Sequence, residues 1–405
     1  MMDLKSVSND LKTLDKTNGT QSKGKGAQYL YMYEDFEDCG FYIGKTGKLA
    51  ISQGRKLKNI YHLIYDPDTL TKAQRNAQKG KGERREINAF NDEILENLDK
   101  LYWDLRNETY TPGEYRLKEI YDPKHRTISI APFYPDRIVH HCIILVLGQH
   151  WTTKFCSNTY ACIKGRGTTS CMEAVHKALV SDPRGTRYCL KIDIRKYFDN
   201  VDHSVLKKII RYSIADPQVL RLLDKVIDSN GKSKGLPIGN FTSQYLANLY
   251  LAYFDHWAKE ELGLKYYYRY MDDIVVLDGS KERLHQILDQ FALYLGAELK
   301  LEIKPNWQIY PVDDRGIDYV GFKQNHFGIL LRKGILLRFY KKLLKTQRKY
   351  KIKDENDIKH LFPSEYGWVI RCSEEHKQFI FNKCINYGSK RLLDRTDRQR
   401  KACKV

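Results

Sequence analysis

No run of about 18 apolar residues occurs anywhere in this 405-residue chain, so no membrane-spanning helix is expected. The stretch from Met1 to Gly19 has no apolar core, so no secretory leader is expected either. Nine cysteines are present, but no two form a C-x-x-C pair, and their number is odd. Neither a zinc ribbon nor a disulfide framework is therefore indicated. Internal repeats are missing, and no low-complexity tract is longer than the polar arm over residues 1–28. Together these absences lead us to expect a soluble, reduced, cytoplasmic protein with no membrane partner.

What the sequence does have is apolar content and an uneven charge. An apolar share of 42% with 12% aromatic residues argues for a folded chain, and the length permits two or three domains. The formal charge is +19. From Gly321 to Val405 there are 22 Lys+Arg against 8 Asp+Glu, whereas the preceding 320 residues hold 47 against 42. A basic region on a nearly neutral body suits a phosphate backbone as partner. By charge alone, a solubilising helical surface explains it equally well.

Periodicity gives a coarse map. A breaker at Gln78–Arg84 precedes a helical pattern of Ile87, Phe90, Ile94, Leu98 and Leu101, closed by the turn Pro112–Gly113. Aromatic and acidic residues alternate from Tyr29 to Ile43 as in a small hairpin. Arg126–Pro132 reads as a strand, His140–Leu147 as a helix, and Tyr188–Ile194 as a strand with alternating apolar residues. Helices are expected over Val205–Asp228 and from the loop Gly235–Gly239 to about Glu261. Lys265–Leu277 reads as a strand pair broken at Met271–Asp273, followed by a helix over Lys281–Leu295 and short strands at Leu299–Ile303 and Asp318–Phe322. This order predicts an α+β fold with a ferredoxin-like sheet and helices on one face.

Two features suggest chemistry. Asp193 ends an apolar strand, and Asp272–Asp273 occupy the tip of an apolar hairpin. Adjacent carboxylates beside a core are costly unless a cation compensates them. A third carboxylate from a neighbouring strand completes an oxygen cage suited to Mg²⁺. Two such ions about 3.5–4 Å apart can clamp the attacking and leaving oxygens of phosphoryl transfer. Asp-Asp in a hairpin is also ordinary turn chemistry, so the dipeptide alone does not decide between the two.

The order of blocks around that turn is more specific. Tyr270-Met271-Asp272-Asp273 resembles the active-site turn of reverse transcriptases. Lys191–Phe198 with Asp202-His203 resembles the first palm motif, Gly235–Gln244 the second and Tyr266–Leu277 the third. Arg126–Arg137 and Thr159–Gly167 resemble two finger blocks, Gly316–Phe322 the primer-grip strand, and Tyr366–Trp368 a late thumb motif. The resemblance covers about residues 55–375. In the second palm motif, Ile238-Gly239 followed by Ser243-Gln244 replaces the usual Gln-Gly and Ser-Pro. That pattern is similar to the reverse transcriptases of diversity-generating retroelements, which copy a dedicated template RNA and misincorporate opposite adenine. Related bacterial phage-defence enzymes, which use an associated non-coding RNA, can look alike in the palm.

The resemblance implies a right-hand polymerase with a ferredoxin-like palm, helical fingers and a basic helical thumb. A flexible arm would take residues 1–28, an N-terminal segment and fingers 29–185, the palm 186–328 with finger helices at 204–235, and the thumb and tail 329–405. It also implies an RNA-directed DNA polymerase, bacterial or phage-encoded, that uses two Mg²⁺ ions, with Mn²⁺ able to substitute. The implied partners are template RNA, an RNA/DNA duplex and dNTPs, with an accessory protein or a second copy of the chain in addition. Asp193, Asp272, Asp273 and the Ile194 carbonyl are the implied metal ligands. Lys124, Arg126, Phe198, Ile238, Gly239 and Gln244 are the implied nucleotide contacts, Phe198 acting by volume against a ribose 2′-hydroxyl. Many relatives carry a lysine where Trp307 stands here, and Lys304 is the nearest substitute. In Gly334–Lys353, Ile335, Phe339 and Leu343, and likewise Leu336, Tyr340 and Leu344, recur every fourth residue. Lys341, Lys342, Lys345, Arg348 and Lys349 take the rest of that helix and are expected to track nucleic acid. The competing class is a catalytically silent RNA-binding protein with the same fold.

Overall fold

The computed structural model describes residues 56–121, 125–347, 350 and 352–386. The expected arm and the hairpin over Tyr29–Ile43 lie outside the described residues. The helices in chain order are α1 Pro67–Gln78, α2 Arg85–Asp92, α3 Ile94–Arg106, α4 Ile138–Thr153, α5 Thr168–Ser181, α6 Tyr197–Asn200, α7 His203–Ser213 and α8 Pro217–Ile227. They continue with α9 Phe241–Glu260, α10 Lys281–Leu299, α11 Val312–Arg315, α12 Lys333–Gln347, α13 Glu355–Leu361, α14 Pro363–Val369 and α15 Glu374–Asn386. The strands are β1 Arg116–Ile120, β2 Arg126–Ile130, β3 Tyr188–Asp193, β4 Tyr266–Tyr270, β5 Asp273–Asp278, β6 Gln308–Pro311, β7 Ile317–Tyr319, β8 Phe322–Asn325 and β9 Gly328–Leu331. Among the described residues no helix is long and apolar enough to cross a membrane. The described cysteines are free thiols, most of them buried.

The chain forms two compact units. One takes the residues up to Cys156, Arg195–Glu261 and Leu295–Leu301; the other takes Ser157–Ile194, Leu262–Tyr294 and the residues from Glu302 onward. The first unit is mainly helical, with the β1–β2 hairpin added. Helix α9 is held by Leu246, Leu249, Tyr250, Tyr253 and Phe254, which recur three and four residues apart and are all buried. Helix α8 starts at Asp216, whose Oδ1 accepts from Gln218 N and Val219 N, and Pro217 fixes the first turn. The other oxygen of Asp216 accepts from Ile60 N at 2.7 Å and Tyr61 N at 3.1 Å, so one buried carboxylate anchors two segments.

The second unit contains a four-stranded antiparallel sheet in the order β4–β5–β3–β6. In chain order this interleaves two βαβ units, the pattern expected of a ferredoxin-like sheet. A second antiparallel sheet, β7–β8–β9, follows. Alternate residues of β4 point to opposite faces. Tyr266 and Tyr268 pack with Cys171, Val175 and Leu179 of α5, whereas the Tyr267 ring meets Phe291 of α10 at 6.3 Å. Helices therefore cover both faces of the sheet, not one as expected. A separate core gathers Phe339 and Leu343 of α12, Phe362, Val369 and Phe381 around Phe322.

Three expected elements differ. The helical pattern from Ile87 to Leu101 is split into α2 and α3 at Glu93 (φ −125°, ψ 41°), and Asn97 Nδ2 donates back to Phe90 O. The strand expected at Leu299–Ile303 is absent: α10 runs to Leu299, and Ile303 makes an isolated bridge to Ile194. The edge beside β3 is filled by β6, a four-residue strand too short to show alternation. Asp318–Phe322 is two strands, β7 and β8, because Val320 (φ +43°) and Gly321 (φ +95°) turn the chain back.

Asp202 caps α7. Its Oδ1 accepts from Ser204 Oγ and Val205 N, and its Oδ2 from Lys300 Nζ at 2.9 Å. Burial works against its charge, but these donors outweigh burial and hold the carboxyl at about 2. A depressed carboxyl contributes stability above its unfolded value and loses it as pH falls towards the folded one. Asp202→Ala is expected to cost about 2 kcal/mol at neutral pH. In urea denaturation that difference should shrink as pH falls from about 4 to about 2.

Candidate active site

The carboxylates lie at one end of the four-stranded sheet. Alternation along β3 puts Cys189, Lys191 and Asp193 on one face. The antiparallel register sets Asp193 opposite Asp273 and Lys191 opposite Val275. Directly opposed residues have Cβ atoms about 4.5–5.5 Å apart, so the two carboxylates share one small volume. The hairpin turns at Met271 (φ +57°) and Asp272. All three carbonyls of that turn are held by donors. Met271 O accepts from Arg269 Nη1 at 2.9 Å, Asp272 O from Ile194 N at 3.2 Å, and Asp273 O from the Tyr319 hydroxyl at 3.1 Å. Tyr319 is fully buried, and burial raises its phenol well above the usual value, so it is a donor here.

Two lysines offset the charge. Lys304 Nζ lies 2.5 Å from Asp193 Oδ1, and Lys304 N donates to Asp193 O at 2.8 Å. Lys191 Nζ stands 3.6 Å from Asp273 Oδ2, donates to Asp318 O, and sits 5.9 Å from the Tyr319 ring centre. Burial pushes the Asp273 carboxyl up to about 6; Lys191 pulls it down, while Asp193 and Asp272 add to the rise. Asp273 Oδ1 is buried without a hydrogen-bond partner. An anionic oxygen left in that state fits the ligand of a cation. Among the described residues no three His, Cys, Asp or Glu side chains are gathered for a metal as they stand. The Lys304 ammonium occupies Asp193 Oδ1 instead. A cavity of 340 Å³ opens beside the carboxylates, lined by Lys191, Asn306, Gln308, Arg315, Asp318 and Lys323 among others.

Asp193, Ile194, Asp272 and Asp273 thus all belong to one unit, with Ile194 fully buried. Phe198, Ile238, Gly239, Gln244 and Arg126 belong to the other. Within that unit the loop before α9 is fastened on two sides. Leu236 N donates to Phe198 O at 2.7 Å, and Ser129 N of β2 donates to Ile238 O at 3.0 Å. Gly239 has φ +124°, and a Cβ there would lie 2.7 Å from Ser129 O, so only glycine fits so close to β2. The structure therefore brings Phe198, Ile238, Gly239 and the strand that Arg126 begins into one hydrogen-bonded arrangement. Phe198 is half-buried against Tyr197, Ile238 is half-buried, and Gln244 is exposed on the first turn of α9. Arg126 pairs with Ile120 through the β1–β2 ladder. Lys124 lies outside the described residues. Trp307 is exposed and packs edge-on to His285 at 6.0 Å.

On α12, Phe339, Tyr340 and Leu343 are buried, and Lys341, Lys342 and Lys345 are exposed, as the four-residue spacing predicts. Lys342 is nonetheless engaged within the chain, 2.8 Å from Glu365 Oε1 and over the Phe362 ring. Arg348 and Lys349 lie outside the described residues. Sequence reasoning overlooked Lys191, Arg269 and Tyr319. Lys191 had a signal, since it stands two residues before Asp193 and so shares its face.

Residues 119–323, just over half of the chain, match the family described as reverse transcriptase (RNA-dependent DNA polymerase). The chain belongs to that family. This reverse transcriptase is accordingly an RNA-directed DNA polymerase, a nucleotidyltransferase. It is similar to Protein YkfC of Escherichia coli K12, with 24% identity over 68% of this chain and 84% of that protein. It is also similar to the group II intron-encoded protein LtrA of Lactococcus lactis subsp. cremoris, with 21% identity over 80% of this chain. The reverse transcriptase spans 63% of LtrA's length. Among solved structures, an apo telomerase from Candida tropicalis aligns over 59% of this chain and 60% of that one, with 11% identity and a TM-score of 0.41.

Gly239→Ala in this reverse transcriptase should strain the loop by about 1–3 kcal/mol, through both its φ and the approach to Ser129. A lowered urea midpoint would show this; an unchanged midpoint would mean that β2 gives way without cost.

Proposed function

We propose that this chain copies a dedicated RNA template into error-prone cDNA, with Asp193, Asp272 and Asp273 as the catalytic carboxylates. The observation that carries the reading is the Asp193–Asp273 register, with one Asp273 oxygen buried and unpartnered. In this reading residues 186–328 form the palm of a right-hand polymerase, with the fingers before it and the basic thumb after it. Reverse transcriptases generally use Mg²⁺, and here the three carboxylates with the Ile194 carbonyl would hold two ions, Mn²⁺ able to replace them. When bound, the metal supplies charge stabilisation for the attacking and leaving oxygens of phosphoryl transfer.

The chain's own residues have separate tasks. Lys304 neutralises Asp193 at rest and is the nearest substitute for the lysine that many relatives carry where Trp307 stands. Lys191 offsets Asp273 from within the strand. Phe198 excludes a 2′-hydroxyl by volume, and Gly239 allows backbone to approach the nascent pair. Lys124, Arg126 and Gln244 serve the nucleotide, while Lys341, Lys345, Arg348 and Lys349 follow the duplex backbone, with Lys342 contributing from its Glu365 pair. Similarity to a group II intron-encoded protein supports a retroelement setting.

Asp272→Asn combined with Asp273→Asn is expected to abolish primer extension on an RNA template while leaving the circular dichroism spectrum unchanged. Extension at a near wild-type rate would end this assignment. The error-prone part rests on Ile238, which offers a nucleotide shape but no hydrogen bond. One hydrogen bond is worth about 0.5–1.5 kcal/mol, or about threefold to tenfold in discrimination. Ile238→Gln should lower misincorporation, chiefly opposite template adenine, by a factor in that range when cDNAs from one template are sequenced. Accurate cDNA from the wild-type protein would leave the chemistry standing and remove the mutagenic role.

A further inference from the structure

Arg269 is a fully buried guanidinium in β4, three residues before Asp272, on a strand otherwise made of tyrosines. Burying a cation in a sheet is costly, and a leucine would pack there without that cost. Two of the bonds it makes run to the turn and to the neighbouring segment. Nη1 donates to the Met271 carbonyl at 2.9 Å, and Nη2 reaches Thr159 Oγ1 at 3.5 Å. The backbone of Arg269 is held by the same neighbouring segment: Arg269 N donates to Asn158 O and Tyr160 N donates to Arg269 O, each at 3.0 Å. Thr159 in turn receives Arg166 Nη1 on its carbonyl at 3.0 Å.

Met271 carries the positive φ that swings the chain from β4 into the aspartate pair. Its carbonyl is the first of the three in the turn, and Arg269 is the side chain that fixes it. The other two are fixed by Ile194 and Tyr319, which come from β3's end and from β7. Rotation of the Met271–Asp272 peptide would redirect Asp272, which follows it directly, and through Asp272 the start of β5 at Asp273. A guanidinium suits this task better than an ammonium, since its planar fork can serve the carbonyl and Thr159 together.

We propose that Arg269 is a positioning residue, which sets the direction of the Asp272 and Asp273 carboxylates by pinning the Met271 carbonyl to the Asn158–Tyr160 segment. The proposal rests on the assignment of those aspartates as cation ligands. Its test therefore includes Mn²⁺ binding to the full-length protein, followed by electron paramagnetic resonance without nucleotide or template.

Arg269→Met removes the donors and keeps the apolar stem, and R269K keeps one charged donor without the fork. In R269M, Mn²⁺ affinity should fall at least fivefold and kcat for RNA-templated extension at least tenfold, while KM for dNTP and affinity for template–primer change less than twofold. R269K should lie between R269M and wild type in both readouts. A residue that only stabilises the fold would lower the unfolding midpoint and leave Mn²⁺ affinity and kcat per folded molecule untouched; that result overturns the proposal. If R269M does not fold, R269K decides alone: wild-type Mn²⁺ affinity and kcat in it overturn the proposal, and a threefold or greater loss of both supports it. Wild-type protein that binds Mn²⁺ yet extends no primer sinks the polymerase assignment, and the Mn²⁺ comparison still judges Arg269.

Discussion

The pairing of β3 with β5 brings two carboxylates face to face at the end of a mostly buried sheet, and much of the second unit answers to that placement. Like charges at such a distance repel strongly where water is scarce. The chain responds with two ammonium groups, Lys304 on Asp193 and Lys191 beside Asp273. It also spends three hydrogen bonds on the carbonyls of residues 271–273, so the turn cannot relax away from the repulsion. Asp273 remains incompletely compensated, with a raised carboxyl pKa and an orphaned oxygen. The proposed role of these carboxylates as cation ligands would relieve the electrostatic stress that remains after these countermeasures.

The first unit shows the same economy with backbone instead of charge. The loop from Gly235 to Gly239 has no regular structure, yet its carbonyls and amides are bonded to residues near Phe198 and to β2. Its shape is therefore inherited from its neighbours. Gly239 is the place where that inheritance demands a particular residue, because the approach to Ser129 leaves no room for a side chain.

Much of this was legible in the sequence. Asp193 and Asp272–Asp273 stood out at the ends of apolar segments, but only the order of blocks around them, which resembles that of reverse transcriptases, singled them out from ordinary turn residues. The buried face of α12 followed from its four-residue spacing. What stayed hidden depends on partners distant in the chain. The role of Arg269 requires knowing that residues 158–160 run beside β4, and the pairing of Lys342, expected to track nucleic acid, requires knowing that Glu365 lies next to it. The edge strand β6 escaped because four residues carry too little pattern, and the break at Glu93 because both helices share one apolar rhythm. The expectation of helices on one face failed because Tyr266, Tyr267 and Tyr268 are alike in composition and opposite in direction.

The two compact units are interleaved along the chain, changing over after Cys156, Ile194, Glu261, Tyr294 and Leu301. No single cut in the sequence separates them. A truncation that keeps one unit whole must remove internal segments of the other, and a block of sequence exchanged with a relative carries pieces of both. Variation that survives selection in such a chain is accordingly expected to arrive as single substitutions and loop-length changes. Swapping of modules, the usual route by which multidomain proteins acquire new parts, is open only outside the interleaved stretch.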